Sequence, residues 1–159
     1  MYVHTDSNVL FRVSPHTRLP RTFRRFTGLM AQLLQKLSVR AAGGNGSATG
    51  GGSGKLLQVV KQPVTRHLPV GARRIGLSAT APVLSQDKLA AHITSLNPDP
   101  IPSSSPSLIP TVFVIGSMAH GRIDESYVDE TIGVSTYPLS AAAAIGRLCN
   151  VLETVSRVV

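Results

Sequence analysis

Apolar residues set the first outline of this chain. Phe23, Phe26, Met30, Leu33, Leu34 and Leu37 recur at helical spacing and predict a helix over residues 21–37. Pro20 suits its start, and Lys36 and Arg40 suit its end. Residues 2–4 and 9–13 read as short β segments around the polar turn Thr5-Asp6-Ser7-Asn8. Residues 55–60 fit either a strand or a turn of helix. Residues 74–79 and 111–115 predict strands; in the second, four residues are β-branched and the fifth is aromatic. A further apolar run covers 132–135. Helices are predicted over 85–96 and 140–158, the latter with Ile145, Leu148, Leu152 and Val155 on one face. Residues 43–54 hold seven of the fourteen glycines and read as a flexible loop, with no GK[ST] in a phosphate-binding frame. Residues 97–110 are rich in Pro and Ser and read as a loop.

Composition narrows the class. The chain has 159 residues, 42% of them hydrophobic, which is enough for one domain with a real core. Its net charge of +8 is unevenly placed. Residues 1–75 hold twelve Lys/Arg and one Asp, whereas residues 76–159 hold four Lys/Arg and seven Asp/Glu. One basic half suggests a polyanion surface on one side only. Cys149 is the single cysteine, so no internal disulfide or cysteine-rich zinc site can form. That fits a reducing compartment. His4, His16, His67, His92 and His120 show no paired ligand spacing, so no metal is expected. The N-terminus has no signal-peptide pattern, and no apolar run is long enough to span a membrane.

The chemistry concentrates in residues 111–144, TVFVIGSMAHGRIDESYVDETIGVSTYPLSAAAA. The strand runs into Gly116, and Gly121 closes a tight turn. Without a Cβ, such backbone can face a ligand closely. The run at 132–135 then enters Thr136-Tyr137-Pro138-Leu139 and an alanine-rich helix. Two such loops at strand ends form a pocket for a flat heterocycle. Taken alone, a G-x-x-x-x-G spacing is an ordinary turn, and a tyrosine such as Tyr137 alone is more often a core aromatic than a ligand contact.

Four motifs, in order, resemble the Emg/Nep ribosome-biogenesis methyltransferases of the SPOUT superfamily. They are Val114-Ile115-Gly116-Ser117-Met118-Ala119-His120-Gly121 and Val134-Ser135-Thr136-Tyr137-Pro138-Leu139-Ser140-Ala141-Ala142. A third is Arg18-Leu19-Pro20-Arg21-Thr22-Phe23-Arg24-Arg25-Phe26, continuing through Met30 and Leu34. The fourth is Lys55-Leu56-Leu57 with residues 59–63 and His67-Leu68-Pro69. The resemblance covers the chain apart from 43–54 and 85–110. It implies a single α/β domain over 1–159, with a mainly parallel sheet flanked by helices and a C-terminal trefoil knot. It also implies that the family's N-terminal segment, which precedes the strand matching residues 2–4, is missing from this chain.

The same resemblance implies S-adenosyl-L-methionine as cofactor, held by Leu77, Gly116, Gly121, Arg122, Ile123, Val134, Ser135, Thr136, Tyr137, Pro138 and Leu139. The family commonly has Asn where Thr136 stands and Ala where Ser117 stands. The implied reaction is methylation of N1 of a pseudouridine in small-subunit rRNA during ribosome biogenesis. That places the protein in the nucleus and nucleolus, as a homodimer working among small-subunit processome proteins. A sulfonium donor already activates its methyl group, so no metal is needed and a site of backbone and small residues suffices.

Arg18, Arg21, Arg24 and Arg25 crowd the predicted start of the first helix. Cations there oppose the helix dipole, so helix stability does not explain them. A bound anion would be attracted by the dipole and the guanidinium forks together. The resemblance assigns Arg18, Arg21 and Arg25 to RNA; Arg24 matches a position that is merely basic. Asp124, Glu125, Asp129 and Glu130 read as a solvated helix face. His120 lies in the cofactor loop, but related sequences can carry Arg there, and no catalytic base is assigned. The rival reading is a noncatalytic assembly factor that binds pre-rRNA. A third, a generic basic RNA-binding domain, expects no cofactor pocket.

Overall fold

The computed structural model describes residues 1–41, 54–96, 110–118 and 126–156. The chain divides into two compact units, Met1–His67 and Leu68–Val159. It is an α/β protein with seven strands and three helices among the described residues.

The first unit is antiparallel. Strands β1 (Tyr2–His4), β2 (Leu10–Val13), β3 (Ser38–Arg40) and β4 (Lys55–Val60) form a sheet in the order β1-β2-β4-β3. The β1–β2 turn is closed by Asn8 in the left-handed region (φ 59°), a conformation Asn tolerates. Helix α1 (Phe23–Lys36) packs on the sheet face carrying Val13, Val39 and Leu57, and buries Leu33 there. Leu29 and Met30 flank that contact. The remaining predicted apolar positions do not reach the core: Phe23, Phe26, Leu34 and Leu37 are exposed. Leu37 ends the helix in the left-handed region.

The second unit holds a wholly parallel sheet. Strands β5 (Arg73–Leu77), β6 (Thr111–Ile115) and β7 (Glu130–Ile132) lie in the order β6-β5-β7. Ile75 pairs with Phe113 and Leu77 with Ile115 and Ile132, so these five side chains share one face. Helices α2 (Gln86–Leu96) and α3 (Ala141–Ser156) supply Leu89, Ile93, Leu148 and Val151 to that core. Ile145 stays exposed at 40%, so the predicted apolar face of α3 is centred instead on Leu148 and Val151. Burying an Ile or Leu side chain stabilises by about 1.5–3 kcal/mol. The six buried residues of this cluster therefore contribute much of this unit's stability.

The acidic residues depart from expectation. Asp129 immediately precedes strand β7 and Glu130 opens it, so neither lies on a helix face; Asp124 and Glu125 lie outside the described residues. Arg74 Nη2 lies 2.6 Å from Asp129 Oδ1, and Arg73 Nε donates to Glu130 Oε1 at 3.0 Å. His92 of α2 reaches the same oxygen at 3.1 Å. These pairs tie β5, β7 and α2 together at the amino ends of the strands. Hydrogen bonds from the Arg74 side chain, then from its backbone N–H, hold the Asp129 carboxyl below its ordinary 3.8. Burial pushes Glu130 up, but hydrogen bonds from Arg73 and His92 more than offset it and leave it lowered. A depressed carboxyl stabilises the fold above its unfolded pKa, and that contribution is lost as pH falls through the folded value. Asp129→Asn should therefore lower the melting temperature slightly at neutral pH, and the gap should close in acid below 3.8. Melts at the two pH values that show the same gap would assign no role to this ionisation.

Candidate ligand cleft

All three parallel strands end at one edge, at Leu77, Ile115 and Ile132. Parallel α/β sheets place ligands at this carboxyl edge. Here the strand ends open into a cleft of about 160 Å³, lined by Leu77, Ser78, Ala79, Ile115, Gly116, Val134, Ser135, Tyr137, Leu139, Ala141 and Ala144. Its walls are apolar or small, with hydroxyls from Ser78, Ser135 and Tyr137.

A close backbone approach precedes the cleft-lining residue Val134. Segment 81–84 runs beside Gly133: Val83 bridges it in parallel, Gly133 N–H donates to the Pro82 carbonyl, and Leu84 N–H donates to the Gly133 carbonyl. A Cβ on Gly133 would lie 2.7 Å from the Ala81 carbonyl oxygen, so only glycine fits without a shift. On the other side, Ser78 N–H donates to the Ile132 carbonyl at 3.0 Å.

The loop from Val134 to Leu139 is held by its own hydroxyls and by α3. Ser135 Oγ accepts from Tyr137 N–H at 3.1 Å. Ser140 caps α3, its Oγ accepting from Ala143 N–H at 3.2 Å. Tyr137 is 76% exposed and lines the cleft, so it is not a core aromatic. A second cavity of about 310 Å³ lies across the same loop, lined by residues 83–86, Leu89, Val134, Ser135, Thr136, Tyr137, Arg147 and Val151.

Of the residues expected to hold a cofactor, the structure brings Leu77, Gly116, Val134, Ser135, Tyr137 and Leu139 into one cleft. Thr136 lines the second cavity, and Pro138 lines neither. Gly121, Arg122, Ile123 and His120 lie outside the described residues. Ser78, Ala79, Ile115, Ala141 and Ala144 were not expected. Ser78 and Ala79 follow β5 directly, so the parallel register with Ile115 is the signal that finds them.

In the first unit, Arg24 and Arg25 occupy the first turn of α1, and Arg18 and Arg21 precede it. All four are exposed, and among the described residues none is ion-paired. Thr22 makes no side-chain cap, and the first turn holds no acidic residue. The charge divides with the units: residues 1–67 carry ten Lys/Arg and only Asp6. Among the described residues no group of three or more His, Cys, Asp or Glu could hold a metal ion. No described helix is long and apolar enough to cross a membrane.

Fold and cleft define an α/β protein whose parallel strands end at one small, mostly apolar cleft. The EMG1/NEP1 methyltransferase family profile matches residues 1–153, and the chain belongs to that family. It is 44% identical over 155 residues to the human Ribosomal RNA small subunit methyltransferase NEP1, covering 98% of this chain and 54% of that protein. To the Drosophila melanogaster protein of the same name it is 40% identical over 159 residues, covering 100% and 58%. The chain thus spans about half the length of the curated relatives it matches. The crystal structure of Archaeoglobus fulgidus Nep1 bound to S-adenosylhomocysteine matches with a TM-score of 0.70 at 18% identity, covering 98% of this chain and 62% of that one. At that identity the likeness concerns the fold.

Proposed function

We propose that this chain belongs to an S-adenosyl-L-methionine-dependent methyltransferase acting on N1 of a pseudouridine in small-subunit rRNA, within a SPOUT-type domain with a C-terminal trefoil knot. The observation that carries the reading is the cleft at the parallel strand ends, where Leu77, Gly116, Val134, Ser135, Tyr137 and Leu139 meet. Its residues suit a flat heterocycle with a short polar tail: aliphatic side chains, one aromatic residue, small residues and hydroxyls line it together. Gly121, Arg122, Ile123, Thr136 and Pro138 complete the proposed donor contacts. When bound, the donor supplies an activated methyl group. The protein's part is to orient it, exclude water and hold the acceptor base in line.

The arginines are the proposed RNA contacts. Arg18, Arg21 and Arg25 stand around an uncapped helix start, where free N–H groups and guanidinium forks attract phosphate together. Arg21→Ala should weaken RNA binding and lower the log–log salt slope by roughly one unit or less. An identical slope would return the cluster to solvated surface.

The reading extends to a homodimer, to small-subunit processome partners and to the nucleolus. Ile145 leaves apolar surface exposed on α3, and a symmetric two-fold pair would cover it. Light scattering should show a dimer at micromolar concentration; monomer alone would contradict it. The decisive test measures S-adenosylhomocysteine binding by calorimetry and methyl incorporation into a pseudouridine-containing hairpin. Binding with turnover supports the enzyme. RNA binding without turnover supports a noncatalytic assembly factor instead.

A further inference from the structure

We infer that Arg147 is a positioning residue that locks the donor loop by gripping the backbone carbonyl of Val134, an inference that rests on the proposed donor site. The strand ladder ends before this carbonyl. Strand β7 stops at Ile132, and the Gly133 carbonyl is still taken by Leu84 N–H. Val134 is the next residue, and its carbonyl points to a side chain instead: Arg147 Nη1 donates to it at 2.8 Å across thirteen residues of sequence.

The bond closes a ring. Val134 leads into the loop, the loop ends at Ser140, Ser140 caps α3, and Arg147 returns from the second turn of α3 to Val134. Both ends of the loop are thus fixed to one helix. Inside the ring, Ser135 Oγ and Tyr137 N–H make the loop's own turn. Val134, Ser135 and Tyr137 line the donor cleft and the second cavity alike, and Arg147 lines the second cavity. The guanidinium therefore acts from behind the loop without reaching the donor cleft. Holding the loop in its binding shape removes an ordering cost that the donor would otherwise meet on binding. Arginine suits the task because a rigid fork spends less side-chain freedom per hydrogen bond than an ammonium.

The test uses the full chain with Arg147→Met and Arg147→Lys, the first matching the stem without the fork and the second keeping the charge. Two readouts are taken. Without ligand, the Tyr137 amide should exchange about tenfold faster in the Met variant, because its loop opens more often. By calorimetry, S-adenosylhomocysteine should bind about five- to tenfold more weakly, with Lys recovering part of the loss. The melting temperature should move little, since Arg147 is exposed and outside the buried core. Unchanged amide exchange would overturn the lock itself. Faster exchange with unchanged affinity would overturn its role in donor binding. A wild-type chain that binds no S-adenosylhomocysteine would overturn the donor-site reading and this role with it, while the exchange data would still report whether Arg147 holds the loop.

Discussion

Gly116→Val is expected to abolish measurable S-adenosylhomocysteine binding in a chain that still folds. Gly116 follows Ile115, the last residue of β6, and lies beyond the paired ladder. It is exposed, so a side chain there takes nothing from the core. It does line a cleft of only about 160 Å³, and a branched side chain would occupy space the ligand needs. The loss should reach at least roughly a hundredfold, near 2.7 kcal/mol of binding free energy. Gly116→Ala, adding one carbon, should cost less. Calorimetry on both variants, with circular dichroism as the check on folding, decides the matter. Wild-type affinity in a folded Gly116→Val protein would rule this cleft out as the proposed donor site.

Much of the fold was legible because helices and buried strands write their period into sequence. The first helix, the two later helices and strands β1, β2, β5 and β6 fall within a few residues of expectation. What escaped depends on pairing between distant residues. Strand β3 buries only Val39 and exists because Val39 meets Leu57 on β4. Residues 55–60 fitted helix or strand until β2 and β3 paired with β4 on both sides. The acidic cluster at 124–130 has helical spacing, but Asp129 and Glu130 answer to Arg74 and Arg73, more than fifty residues away. The expected parallel sheet is confined to the second unit; the first is antiparallel throughout.

The candidate site was legible to the same depth. Glycines and the Tyr137-Pro138-Leu139 turn carry a backbone signature, so they stood out. Ser78, Ala79, Ala141 and Ala144 are small residues with no chemical mark of their own, and only the strand register and the cap of α3 bring them to the cleft. Arg147 was invisible for a related reason. Its partner is a backbone carbonyl, which has no residue type to read.

Glycine supplies the sharpest remaining test, because one substitution should act with opposite signs at two places. Gly133→Ala puts a methyl group 2.7 Å from the Ala81 carbonyl oxygen, 3.2 Å from Val83 Cγ2 and 3.3 Å from the Pro82 carbonyl oxygen. Two of these are backbone atoms fixed by the hydrogen bonds between Gly133 and segment 82–84, so the strain has no cheap outlet. Overpacking of this kind costs about 1–3 kcal/mol. In a unit of this size that corresponds to a fall in melting temperature of roughly 10 °C. The same displacement would pass to Val134, the next residue, so S-adenosylhomocysteine binding should weaken in parallel. Gly146→Ala is the control. It lies inside α3 with nothing within 4 Å of the added carbon, so alanine brings helix propensity and no clash. It should raise stability by about 0.5–1 kcal/mol. Differential scanning fluorimetry on the two variants should move the midpoint down and up respectively. A Gly133→Ala protein as stable as wild type would mean that segment 81–84 does not press against Gly133, and the account of this close approach would fail with it.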